Sequence, residues 1–147
     1  MKNKQLLVVW CFVFLFVLVV AGCQKTGPDG RLPVSGTVSV NGTPIESGAI
    51  SFEPLGTPAI KTPSGGAILD GKYAVPMAQG LVPGEYVVRI YGYKEAGVDE
   101  SHPLKPLIRD PIVPDKYGTF SELKATVAAG ETKFDFDLKV EEADFKK

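Results

Sequence analysis

The sequence has one histidine, His102, one tryptophan, Trp10, and two cysteines, Cys11 and Cys23, in 147 residues. Each scarcity closes off a class of chemistry. A lone histidine leaves no zinc-type spacing of His and Cys and no Ser-His-Asp order for nucleophilic catalysis. No glycine-rich loop of the phosphate-cradling kind occurs. Two cysteines allow one disulfide at most. Lys and Arg number 16 against 17 Asp and Glu, so the basic patch or stripe that marks a nucleic-acid partner is missing. Helical periodicity is nearly absent too. What the chain has instead is 16 Gly and 12 Pro, set between short apolar runs, which is the punctuation of an all-β protein.

The one long apolar run lies at the start. Lys2 and Lys4 precede Leu6 to Val20, and the run closes on Val20-Ala21-Gly22-Cys23. At 1.5 Å per residue the run spans roughly 22 Å as a helix, short of the roughly 20 residues that cross a hydrocarbon core. A charged start, an apolar middle and small residues at the end read as a secretory signal peptide over residues 1–22. The final four residues resemble the lipobox of bacterial lipoproteins, in which cleavage after Gly22 frees Cys23 to carry a diacylglycerol thioether. An uncleaved N-terminal anchor, or an ordinary secretory signal using Val20 and Gly22, are the competing readings. Two acyl chains hold a protein on a bilayer lastingly where a single myristoyl chain binds only marginally.

Cleavage would discard Cys11 and Trp10 and leave Cys23 lipidated, so the expected disulfide count is zero. The mature chain would keep 125 residues, enough for one domain that hides roughly two-thirds of its unfolded surface. Losing Lys2 and Lys4 reduces the 16 basic residues to 14 against 17 acidic ones, a net charge of −3. Residues 23–32, with Gly-Pro-Asp-Gly at their centre, read as a lipidated tether. Residues 33–140 read as the folded domain and 141–147 as a charged, fraying tail. By analogy with double-membrane bacteria, Gln24 favours the outer membrane over the inner, with the domain in the periplasm or at the cell surface.

Within the domain, apolar residues alternate. Val34, Gly36, Val38 and Val40 share a face, and Asn41-Gly42 follows as a hairpin turn. Ile50 and Phe52 form the next face, stopped by Pro54. Gly66 to Leu69, Asp70-Gly71 and Lys72 to Val75 make a second hairpin. Tyr86, Val88 and Ile90 alternate after Pro83-Gly84, as do Leu123, Ala125 and Val127, then Phe134, Phe136 and Leu138. Residues 92–116 hold four prolines and ten charged or imidazole side chains, and read as a long excursion; loops of that length are usually functional or disordered.

The stretch Pro33-Val34-Ser35-Gly36-Thr37-Val38-Ser39-Val40-Asn41-Gly42-Thr43-Pro44-Ile45, then Gly48-Ala49-Ile50-Ser51-Phe52, resembles the opening of carboxypeptidase regulatory-like domains. Asp70-Gly71-Lys72-Tyr73 and Pro83-Gly84-Glu85-Tyr86-Val87-Val88 resemble that family's later hairpin and strand. The C-terminal Pro114-Asp115-Lys116-Tyr117-Gly118 and Phe134-Asp135-Phe136-Asp137-Leu138 are similar to segments of small bacterial envelope lipoproteins built on this domain. The likeness runs from about residue 33 to 139. It implies a six- to seven-stranded antiparallel Greek-key β-sandwich of the transthyretin (prealbumin-like) type. It implies little catalysis, since such domains accompany enzymes or adhesins, and a shared sandwich does not transfer a function.

Residues able to carry chemistry each have a simpler structural account. His102 sits in the proline-rich loop near Asp99, Glu100 and Asp110, and reads as an exposed loop histidine more readily than as an acid-base group. Asp135 and Asp137 alternate with inward apolar residues and read as a solvated strand face. Asp99, Glu100, Asp110 and Asp115 lack the spacing of a calcium loop. No metal, cofactor or catalytic residue is assigned. Tyr91, Tyr93, Tyr117 and Phe120 flank the loop as candidate contacts for a sugar or a protein. The expected function is a membrane-anchored envelope lipoprotein whose sandwich is a non-catalytic interaction or structural module. Its partners would be the bilayer, through acylated Cys23, and an envelope protein or glycan met by the 92–116 loop. The alternative is a carbohydrate or small-ligand binder using Tyr91, Tyr93 and Tyr117. A third reading is a hydrolase using His102 with loop carboxylates.

Overall fold

The computed structural model describes residues 27, 29–56, 62–104 and 106–145. The signal segment, Gly22, Cys23 and Gln24 lie outside the described residues. Among the described residues, nine strands run in chain order: β1 (Val34–Val40), β2 (Thr43–Pro44), β3 (Ser47–Pro54), β4 (Ser64–Leu69), β5 (Lys72–Val75), β6 (Gly84–Val98), β7 (Leu107–Pro111), β8 (Lys124–Val127) and β9 (Phe136–Leu138). They hydrogen-bond in the order β2-β1-β5-β4-β3-β6-β7, with β8 also on β6 and β9 also on β1. The fold is all-β, an antiparallel sheet curled into a half-barrel. Among the described residues, the one parallel strand pair is β1 with β9, continued by the parallel bridge of Ser35 and Lys133.

The two hairpin turns follow from backbone sterics. Asn41 (φ 50) and Gly42 (φ 82) both sit in the left-handed region, as do Asp70 (φ 49) and Gly71 (φ 71). Paired positive φ values define the turn whose twist matches that of flanking strands, and Asn-Gly and Asp-Gly are the residues that tolerate it. Each turn sets a register, Ser39 opposite Pro44 and Leu69 opposite Lys72. A slip of one residue would expose every core side chain.

The alternation read from the sequence is the one the sheet uses. Val34, Val38, Ile50, Phe52, Ile68, Tyr73, Val75, Tyr86, Val88, Ile90, Ala125, Val127 and Leu138 are all buried. Phe52 is at the centre, its ring centroid 6.0 Å from Tyr73, 6.4 Å from Tyr86 and 6.5 Å from Phe134. Tilted and edge-on aromatic pairs at these separations add to area burial. The core also takes in Leu32, buried and bridged to Leu81. Packing therefore includes at least the last residue of the segment read as tether.

Two expectations change. Strand β6 does not end near Tyr91: it continues to Val98 and returns as β7, with a bulge between Glu95 and Gly97. Most of the 92–116 excursion is thus a two-stranded arm. Its sequence hid this because all ten residues Lys94–Val98 and Leu107–Pro111 are exposed, so no buried face writes a period of two. The expected six or seven strands become nine because this arm and the two-residue β2 add pairs. In the tail, residues 142–145 form a 3-10 turn fastened by Lys116 to Asp144 at 2.6 Å.

Candidate functional site

The carboxylates with the most suggestive spacing serve the fold. Asp135 and Asp137 point outward from the chain entering and forming β9, opposite Thr37 and Ser39 of β1. Thr37 donates both its backbone N–H and its hydroxyl to one Asp135 oxygen, at 2.8 Å each. The Ser39 hydroxyl and the Gly42 N–H donate to one Asp137 oxygen, at 2.8 Å each. Lys139 pairs with the other oxygen of Asp137, and Lys133 with the other of Asp135 at 3.4 Å. The bond from Lys139, then those from Gly42 and Ser39, hold the Asp137 carboxyl down at about 2. Asp135 is lowered chiefly by the Thr37 hydroxyl. Charged acceptors that satisfy several donors make strong bonds. The pair laces the parallel β1–β9 edge together and has no oxygen to spare for acid-base work.

His102 is exposed at the tip of the arm. Its Nδ1 accepts the Leu104 N–H at 3.2 Å, and its own backbone N–H donates to the Asp99 carbonyl at 3.3 Å. Asp99 is held low by the Ser101 hydroxyl and backbone N–H. These bonds close a turn. Among the described residues, no group of three or more His, Cys, Asp or Glu is placed to hold a metal ion.

The tyrosines divide between two faces. Tyr91 and Tyr93 are half-buried on the outer face of β6, opposite Ala49 and Ser47 of β3. The Tyr91 ring lies against Gly118, where a Cβ would stand 2.7 Å from Cε1. Tyr117 instead packs against the core, and its hydroxyl donates to the Lys139 carbonyl at 2.8 Å. The structure therefore brings two of the three candidate tyrosines together and commits the third to packing. Beside Tyr91, Arg89 bonds Glu53 at 2.7 Å, Gly118 at 2.9 Å and the Thr119 carbonyl, tying the 114–121 turn to the sheet.

The arm is the other candidate. Its exposed apolar side chains are Val98, Leu104 (84% exposed), Leu107 and Ile108. Strand β7 is the last in the sheet order, so one of its edges has no strand beside it. Ile112 donates to the Gly92 carbonyl and Asp99 to the Pro106 carbonyl. By ladder alternation, the N–H and C=O groups of Leu107 and Arg109 then face outward. Pro111 on the same edge has no N–H to offer, a device that limits open-ended pairing.

The poles of the domain are set by β6. Its start at Gly84 lies beside the Leu32–Leu81 bridge and the Gly27–Met77 contact, where the chain enters. Its far end at Val98 begins the arm. Fourteen steps at about 3.3 Å put these ends about 45 Å apart along the strand. Comparisons with protein-family models, curated proteins and solved structures gave no match.

Proposed function

We propose that this chain is a cell-envelope lipoprotein, acylated on Cys23 after cleavage at Gly22, whose domain is a non-catalytic binding module. The domain belongs, on this reading, with the Greek-key, prealbumin-like carboxypeptidase regulatory-like sandwiches. The observation that carries the proposal is polarity. The chain enters at one end of β6, and the apolar arm is carried at the other. Residues 23–26 would add at most about 14 Å of extended chain. The pole bearing Gly27 would then face the bilayer, with the arm held some tens of ångströms away, towards a partner in the periplasm or at the cell surface. The sorting analogy with Gln24 favours the outer membrane. The commitment of Asp135, Asp137 and His102 to structural hydrogen bonds supports binding over hydrolysis.

The test has two arms. Intact-mass spectrometry of the membrane-extracted protein should find a chain starting at Cys23 with a diacylglyceryl adduct, and Cys23→Ala should release the domain from membranes. A retained Met1, or an unacylated trimmed chain, ends the lipoprotein reading. Crosslinking in intact envelopes should capture a protein that is lost when residues 95–109 are replaced by Asn-Gly. Identical capture by both forms removes the arm as the contact.

A further inference from the structure

The outer face of the sheet carries a second, separate feature that needs neither the lipid nor the arm. Registers across five strands align its side chains in rows. Ala49 lies between Tyr91 and Ala67. Ala74 lies opposite Ser35, and Ser35 bridges to Lys133. One row further on, Ser47 lies between Tyr93 and Leu69, Leu69 opposite Lys72, and Lys72 opposite Thr37. The first row has small side chains between its ends, and the second carries Tyr93, Leu69 and Lys72 beside it, so a shallow trench runs across the strands from tyrosine to lysine. Its lysine half is a groove of about 630 Å³. From β6 to β1 the trench spans four strand spacings, about 19 Å.

The chemistry of the trench is graded along its length. At one end, Tyr91 and Tyr93 present half-buried rings on one face. Along it, the Ser35 and Ser47 side chains are exposed or half-exposed and make no hydrogen bond to another described residue. At the far end stand Lys72, which no carboxylate of the described residues pairs, and Lys133, which shares Asp135 at 3.4 Å. Asp135 sits at the rim, with its other oxygen already filled by Thr37. The residues that line the groove include both lysines and neither Asp nor Glu, so the lining is net positive.

We propose that this trench binds an extended anionic glycan, with sugar faces on Tyr91 and Tyr93 and acidic substituents at Lys72 and Lys133. A glycan fits better than an acidic peptide for a backbone reason. The trench runs over strands whose N–H and C=O groups are already paired with each other, so an extended peptide finds no ladder to join. Sugars need hydroxyl partners and apolar ring faces, and both are present. Carboxylate contacts to exposed ammonium groups are individually weak, so affinity should come from several sites along a chain and fall with added salt.

The test is calorimetric titration of the full chain in detergent micelles with a galacturonate hexasaccharide. Maltohexaose and a hexaglutamate peptide serve as the neutral and the peptide comparisons. The galacturonate oligomer should bind, Lys72→Ala and Lys133→Ala should each weaken it about three- to tenfold, and Tyr93→Ala should weaken it by a similar factor. All variants should keep the wild-type melting transition. Equal binding of maltohexaose overturns the anionic requirement. Equal binding of hexaglutamate with no effect of Tyr93→Ala overturns the glycan in favour of an acidic peptide. No binding of the galacturonate oligomer in low salt overturns the site. None of these results touches the arm or the lipid anchor, which the mass and crosslinking experiments address.

Discussion

Gly36→Ala offers the sharpest check on how the half-barrel closes. Gly36 faces inward on β1, between Val34 and Val38, at the point where the chain entering β9 crosses. A Cβ there would stand 1.8 Å from the Phe134 carbonyl oxygen, 2.6 Å from its carbon and 3.0 Å from the Tyr73 hydroxyl. The backbone of Phe134 would have to retreat by more than 1 Å to restore van der Waals contact. Three bonds depend on its present place: Tyr73 hydroxyl to the Phe134 carbonyl at 2.9 Å, Phe134 N–H to the Ser35 carbonyl at 3.0 Å, and Ser35 N–H to the Thr132 carbonyl at 3.0 Å.

Net hydrogen bonds are worth about 1 kcal/mol each, and overpacking a tight site costs about 1–3 kcal/mol more. Tyr73 aggravates the loss. Burial, and then the charge on Asp135, push its phenol well above the ordinary range, so it cannot ionise to relieve a missing acceptor. The expected destabilisation is about 3–6 kcal/mol against a total stability of about 5–15 kcal/mol. At about 4 °C per kcal/mol for a domain of this size, near-ultraviolet dichroism should show the melting point falling by about 12–24 °C. Gly66→Ala is the control, because its Cβ meets only the Ala74 carbonyl, at 3.2 Å, and it should melt within a few degrees of wild type. A Gly36→Ala protein as stable as that control would refute the close crossing of β1 by the 134–138 chain.

Other predictions follow from the core, the acidic clasp and the arm. Phe52→Ala removes the ring shared by Tyr73, Tyr86 and Phe134 and should cost about 3–5 kcal/mol in urea unfolding. Asp137 is depressed to about 2 in the folded state, below the ordinary carboxyl value of about 3.9. Its contribution is therefore complete above pH 4 and disappears as pH falls towards 2. The melting-point gap between wild type and Asp137→Asn should narrow over that interval; a gap that stays constant would contradict the clasp. Replacing residues 95–109 with Asn-Gly should leave the melting point within a few degrees, because both arm strands are exposed on both faces. Amide exchange in the arm should run faster than in β3, as expected of a hairpin without a core beneath it.

Where one face of a strand is buried, the sequence spells it out. Val34 to Val40, Tyr86 to Ile90 and Leu123 to Val127 alternate because a residue pointing inward must be apolar and its neighbour need not be. The Asn-Gly and Asp-Gly turns were equally legible, since so few residues accept positive φ. The arm was not, because exposure on both faces removes the constraint that creates a pattern. Nor was the parallel β1–β9 pair, which joins Val38 to Phe136 across most of the folded domain and leaves no local signal. For the site, sequence named Tyr91 and Tyr93 as candidates but ended the strand at Tyr91, so the face they share emerged only with the longer β6. It did not reveal that Tyr117 turns inward, or that Lys72 and Lys133 share a groove, because that groove exists only once β4, β5 and β1 lie side by side.

The same crossing explains why the suggestive carboxylates are unavailable for chemistry. A parallel edge of three residues is too short to hold β9 by backbone bonds alone, and parallel pairing is slightly weaker per residue than antiparallel. The chain supplements it from the side: Thr37 and Ser39 on β1 alternate in step with Asp135 and Asp137, so each hydroxyl meets a carboxylate. That step-matched alternation requires the register Ser39 opposite Asp137. Asp137 also caps the Asn41-Gly42 turn through the Gly42 N–H, while the Asn41 side chain bonds the Val140 backbone at both ends, at 2.8 and 3.1 Å. One hairpin turn therefore fixes two things, the β1–β2 register and the seat of the C-terminal strand. Paired acids two residues apart signify catalysis only where their oxygens are free, and here each oxygen is matched to a donor from β1, its turn or a neighbouring lysine.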